Sequence, residues 1–223
     1  MALPESVEVT TGEQPVGSVI WLHGLGADGH DFEPIVPELH LPADLPLRFV
    51  FPHAPVRPVT INGGMAMRAW YDIISLDSEG RADADGVHES TALLEALIAR
   101  EVERGIDASR IVIAGFSMGG AVAINTALHT GYQLAGLMAL STYLPLPSEV
   151  DGSSGSRDLP VFMAHGTFDP MLPMQWGQLS AERLTGEGFS VEWHDYPMAH
   201  AVCPEEIRDI RAWLLRVLAL RDE

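Results

Sequence analysis

The chain has 223 residues, enough for one domain with a substantial core, and 47% of them are hydrophobic against 20% charged. Thirteen basic residues face thirty-one acidic ones for a net charge of −18, and every basic residue is Arg. So acidic a chain is repelled by nucleic-acid phosphates and anionic lipid surfaces, and without Lys it excludes Schiff-base and pyridoxal enzymes, Ser–Lys dyads and P-loop nucleotide hydrolases.

Two sources would give such a composition: G+C-rich coding, or adaptation to salt, which screens repulsion between acidic groups. The single Cys203 excludes an intramolecular disulfide and a cysteine-based zinc site. The N-terminal stretch lacks the basic and apolar regions of a signal peptide. No run approaches the ~18 apolar residues of a membrane-spanning helix, so a cytoplasmic protein is expected.

Along the chain, strands alternate with helices. VGSVIWLH (16–23) is an apolar run ending in a Gly-rich loop, before a helical candidate over 31–39. LRFVFP (47–52) is a second strand, and 53–73 is expected to be a long loop rich in Pro, Gly and large apolar groups. Residues 86–104 carry the apolar stripe Val87, Leu94, Leu97, Ile98 and Val102 of a helix that Gly105 closes. IVIAGF (111–116) is a strand, 118–131 a helix, and 134–141 and 160–165 are buried-type strands. Helix 174–187, strand 191–196 and a final helix from Pro204 complete the pattern. Segment 151–158, DGSSGSRD, is the most flexible-looking, but too short for a linker. The alternation predicts one α/β domain, three layers around a mostly parallel sheet.

The strongest local signal is Gly115-Phe116-Ser117-Met118-Gly119, a G-x-S-x-G pattern between a β-like run and a helix. That context is the one in which a nucleophilic serine sits on a strained strand-to-helix turn. A phosphate-binding turn is the competing interpretation, and the missing Lys and the glycine spacing weigh against it. A serine hydroxyl needs a base, and the base needs orienting. In this architecture both come later in the chain, from loops at strand C-termini. HGTFDP (165–170) offers Asp169 and PMAHAVCPEE (197–206) offers His200. His194 and Asp195 lie within an alternating strand and Asp151 and Asp158 in the flexible segment, while His165, at a strand end, could support the site but precedes Asp169 too closely to be its partner. For the oxyanion, the backbone N–H groups of Met118 and Leu25 are the expected donors. His23 is expected to stabilise its loop instead of taking part in catalysis.

Five segments, HGLGADGHDF (23–32), PVTINGGMAMRAWYDI (58–73), GFSMGGAVA (115–123), HGTFDPMLP (165–173) and AHAVCPEEI (199–207), together resemble the carboxylesterase and acyl-protein thioesterase family. They come in family order and span nearly the whole chain. The resemblance implies an α/β-hydrolase fold, no metal or organic cofactor, and hydrolysis of carboxylic esters or thioesters. It carries the triad to Ser117, Asp169 and His200 and the oxyanion donors to Leu25 and Met118. Family members commonly have Gln after the nucleophile where this chain has Met118, which puts any polar side-chain contact there in doubt. Some members are dimers, so a homodimer is open.

The segment from Ser141 to residue 160 has no room for a large helical cap, which favours soluble esters over lipid droplets. Loop 53–73 is expected to form part of the acyl pocket through Met65, Met67 and Trp70, with Met171 and Leu172 adding to its wall; ordinary core packing is the alternative for each. The expected partner is a small-molecule ester or thioester of short to medium acyl chain. The alternatives are thioesterase or lysophospholipase activity on longer chains, acyl transfer to another acceptor, peptidase activity and a catalytically silent binding module. Cys203 is expected to be a packed thiol.

Overall fold

The computed structural model describes residues 3–75, 82–150 and 158–219. Its centre is a seven-stranded sheet built from β1 (Ser6–Thr10), β2 (Gly17–Leu22), β3 (Leu47–Pro52), β6 (Ile111–Phe116), β7 (Gly136–Leu140), β8 (Pro160–Gly166) and β9 (Ser190–Tyr196), in the order β1-β3-β2-β6-β7-β8-β9. All neighbours pair in parallel except β1, which runs antiparallel to β3 at the sheet edge.

The central strands read as continuous apolar runs because both of their faces are covered. Along β2, Ile20 and Leu22 enter one core while Val19 and Trp21 enter the other; Ile111 and Ile113 of β6 oppose Val112 and Ala114 in the same way. The first core is closed by α2 (Ala84–Glu103), α3 (Met118–His129) and α4 (Met174–Gly186), and the second by α1 (Ile35–Glu38) and α5 (Pro204–Val217). Helix α2 stops where Gly105 takes φ +92°, with the Gly105 and Ile106 N–H groups returning to the Val102 and Glu101 carbonyls.

Three expectations need correction. The helix expected over 31–39 is a single turn, Ile35–Glu38, because Pro34 just before it and Pro37 within it have no N–H to give to the hydrogen-bond ladder. The expected loop 53–73 contains a hairpin, β4 (Val56–Val59) and β5 (Met65–Arg68), turned by Gly63 and Gly64 at φ +67° and +78°. The edge strand β1 is an addition to the expected set. Of the flexible-looking segment, residues 151–157, including Asp151, lie outside the described residues.

Because β2, β6, β8 and β9 are parallel neighbours or near-neighbours, the four segments following them emerge along one edge of the sheet. Those segments carry Leu25, Ser117, Asp169 and His200.

Candidate active site

Ser117 joins β6 to α3 with φ +54° and ψ −118°, a conformation rare for a residue with a side chain. Its surroundings hold it there. The Ser117 N–H donates to the Leu140 carbonyl at 2.9 Å, and its own carbonyl accepts from the Thr142 hydroxyl at 2.6 Å and from the Ala121 N–H at 3.1 Å. The turn closes only because its glycines lack side chains: a Cβ on Gly115 would stand 2.3 Å from the Gly119 backbone.

The Asp169 side chain is fully buried and its carboxylate is bound on both oxygens. Oδ1 accepts the N–H groups of Met171 and Leu172 at 2.8 and 2.9 Å, which folds the loop back on the carboxylate. Oδ2 lies 2.6 Å from Nδ1 of His200, whose side chain is 17% exposed. A carboxylate accepts, so Nδ1 donates and Nε2 is the acceptor of the neutral ring. The His200 ring rests against Phe116, the residue before Ser117, with centroids 4.7 Å apart.

Ser117 and His200 border one cavity of about 240 Å³, together with Leu25, Met118, Met171 and Leu172. Met118 occupies the first position of α3, where the backbone N–H has no partner within the helix. In the loop after β2, the N–H groups of Gly26 and Ala27 are taken by the Arg68 and Gly24 carbonyls. No such acceptor takes the Leu25 N–H among the described residues. Both N–H groups thus lack a backbone acceptor among the described residues, and both residues border the cavity with Ser117.

His23 is loop-stabilising, as expected. Its ring is 1% exposed, with Nδ1 2.7 Å from the Gly24 carbonyl and Nε2 accepting the Ala54 N–H at 3.0 Å. Burial lowers its pKa, which keeps it neutral in that role. The side chain of Met118 turns inward instead of facing a substrate: it is 2% exposed, and its sulfur lies 3.3 Å from the Trp70 N–H.

The cavity wall differs in part from the expectation. Leu172 is buried in it and Met171 stands exposed at its rim. Met65 is 64% exposed on the β4–β5 hairpin and Trp70 is buried with its indole N–H on the His23 carbonyl; neither lines the cavity. Met67 packs against the first core and also lies outside the lining. Tyr71, Ile73 and Tyr143 take the place of these residues, and the Tyr71 and Tyr143 hydroxyls meet at 3.0 Å. Asp31 also borders the cavity. Tyr71 and Ile73 belong to the segment singled out from the sequence, but nothing in its apolar composition ranks them above Met65 or Trp70.

Apart from His165, which lies 3.4 Å from Asp169, the rival groups among the described residues are placed elsewhere. His194 contacts Glu192 at 2.8 Å and stacks on Phe162, Asp195 is exposed on β9, and Asp158 precedes β8 at the opposite sheet edge. Cys203 stands just before the first residue of α5 and packs against the second core. Among the described residues, no group of three or more His, Cys, Asp or Glu is placed to hold a metal ion, and no helix is long and apolar enough to cross a membrane.

Known proteins resemble the chain over nearly its whole length. The family model described as phospholipase/carboxylesterase matches residues 4–218. An acyl-protein thioesterase 1 of Cryptococcus neoformans is 37% identical over 232 residues, covering 95% of this chain and 97% of its own. One from Mycosarcoma maydis is 38% identical over 225 residues, covering 93% and 94%. The crystal structure of Zea mays acyl-protein thioesterase 2 superposes with a TM-score of 0.83 at 28% identity, covering 97% of this chain and all of that one. That of Arabidopsis thaliana SOBER1 gives 0.83 at 29%, covering 91% and 99%. With its α/β-hydrolase fold and no large cap among the described residues, the chain belongs to the phospholipase/carboxylesterase family.

Proposed function

We propose that the chain is a single-domain serine hydrolase that cleaves carboxylic esters and thioesters through an acyl-enzyme on Ser117. The observation that carries this reading is the 2.6 Å bond between Asp169 and His200 beside a cavity that Ser117 also borders. The Ser117 hydroxyl oxygen attacks the acyl carbon while Nε2 of His200 takes its proton. Collapse of the tetrahedral adduct breaks the bond to the alcohol or thiol, which leaves with the proton returned by His200. Water then repeats the attack and frees the acid. Asp169 holds the imidazole tautomer and stabilises the imidazolium, and the N–H groups of Leu25 and Met118 receive the oxyanion.

Two features bear on the substrate. The walls contributed by Ile73, Leu172 and the two tyrosine rings are apolar, which suits an acyl chain, and about 240 Å³ suits one of modest length. The relatives named as acyl-protein thioesterases support a thioester substrate at least as much as an oxygen ester.

The test is intact-mass spectrometry after exposure to a fluorophosphonate, with p-nitrophenyl esters and matched acyl thioesters of graded chain length. One adduct located on Ser117 is expected, with turnover abolished in Ser117→Ala at unchanged folding. Well-folded protein with neither adduct nor turnover would leave only a silent binding module. The ratio of thioester to ester turnover at equal chain length decides which bond is preferred.

A further inference from the structure

His165, next to last in β8, is fully buried beneath the loop that carries Asp169. Its Nε2 lies 2.9 Å from the Leu172 carbonyl and 3.4 Å from Oδ2 of Asp169. Both neighbours only accept, so Nε2 carries the proton and Nδ1 of the neutral ring is the acceptor. Nδ1 is buried with no hydrogen-bond partner among the described residues. An imidazolium there would add a second N–H with nowhere to donate, so the site favours the neutral ring. Gly177 of α4 leaves the space for it: a Cβ at that position would stand 2.6 Å from Nδ1.

The Asp169 carboxylate thus faces two imidazoles. Oδ1 is occupied by the Met171 and Leu172 N–H groups, and Oδ2 lies between Nδ1 of His200 and the N–H of His165. We propose that His165 is a positioning residue for the Asp169–His200 pair, an inference that rests on the catalytic reading of that pair. Through the Leu172 carbonyl it holds the loop from below, and through its N–H dipole it fixes Oδ2 toward His200. That same dipole draws on the charge of Oδ2, so it tempers how strongly the carboxylate stabilises the His200 imidazolium.

The groups around the ring are few. Asp169 and His200 are the charged or titratable neighbours on the loop side, α4 presents Gly177, and β9 presents Trp193 and, in register with His165, the exposed Asp195. Burial lowers the pKa of His165 against the opposing pull of the Leu172 carbonyl and Asp169, in keeping with a neutral ring over the working pH range.

The experiment compares pH profiles of kcat/KM for the wild type, His165→Phe and His165→Gln, each first titrated with a fluorophosphonate. Loss of the N–H in His165→Phe is expected to lower kcat about tenfold with little change in KM. It should also move the acid limb up by about half a pH unit, because the carboxylate then stabilises the imidazolium more strongly. His165→Gln, which keeps a donor of similar reach, should return the limb toward the wild-type position. A limb that stays in place in folded, labelled His165→Phe overturns the proposal, since a purely structural role lowers rate or stability without shifting it. Should both variants fail to fold, nitrogen NMR of the wild-type ring decides: a neutral Nε2–H tautomer throughout the active range is expected, and a charged ring at neutral pH overturns it. Wild-type protein without an adduct on Ser117 would instead sink the catalytic reading beneath it.

Discussion

Ser117 is held in its rare backbone conformation by contacts that leave the turn little slack, and Gly119 shows how little. A Cβ on Gly119 would stand 2.4 Å from the Leu22 carbonyl and 2.6 Å from that of His23. Both obstacles are backbone, and both lead into the loop that carries Leu25. Gly119→Ala is therefore expected to cost about 2–3 kcal/mol of stability, read as a lower urea midpoint, and to lose turnover with it. Ser117→Ala, which removes only a hydroxyl, should keep the wild-type midpoint. Equal midpoints for both variants would show that the turn can relax.

Helix α5 follows the His200 segment, and its third residue, Glu206, is 0% exposed. Burial pushes the Glu206 carboxyl up to about 8, and the nearby Asp209 adds to the effect. A folded-state pKa above the unfolded value means that the native protein holds a proton the unfolded chain releases. The stability tied to that proton is full below the unfolded value near ~4.3 and is lost as pH rises through about 8. Glu206→Gln, neutral and of the same shape, should match the wild type at pH ~4 and exceed it by on the order of 4–5 kcal/mol at pH ~9. Thermal unfolding at the two pH values measures this, and a gain independent of pH would mean that Glu206 is not the group titrating.

The same scale shows what the sequence could convey. Strands β2, β6, β7 and β8 were legible because burial on both faces leaves an apolar run with no other use. Strand β1 was not: its burial pattern is mixed, and its pairing with β3 depends on a partner about forty residues away. The β4–β5 hairpin was hidden by Pro55, Pro58, Gly63 and Gly64, which read as punctuation but serve an isolated two-stranded ribbon. Asp169 and His200 could be named because chain order and strand ends restrict the choice. The cavity wall could not, since Trp70 and Tyr71 are adjacent and both buried, and only the fold decides that Tyr71 borders the cavity.

Across the whole molecule, the scarce cations are concentrated. Glu101 is fully buried in α2, where its Oε2 accepts from the Ser18 hydroxyl at 3.0 Å and from Arg48 at 2.8 Å, while its Oε1 meets Arg104 at 2.9 Å. Arg104 and Arg100 also reach Glu8 of β1, each at 2.9 Å. Three of the thirteen arginines thus join Glu8 and Glu101 in one cluster that ties β1, β2 and β3 to α2, which leaves ten arginines against twenty-nine carboxylates in the rest of the chain. These two populations respond differently to salt. The Glu101 contacts are buried and hardly screened, whereas repulsion among exposed carboxylates decays within a Debye length of ~10 Å at 0.1 M salt. Adding salt should therefore remove more repulsion than attraction, and the unfolding temperature should rise by several degrees between ~0.02 and ~1 M KCl. Glu101→Gln, which leaves Arg48 and Arg104 without their buried partner charge, should lower stability by about 3 kcal/mol at both salt concentrations. A melting temperature that falls steadily with KCl would mean that surface ion pairs outweigh the net repulsion, and that the acidic composition brings no tolerance of salt.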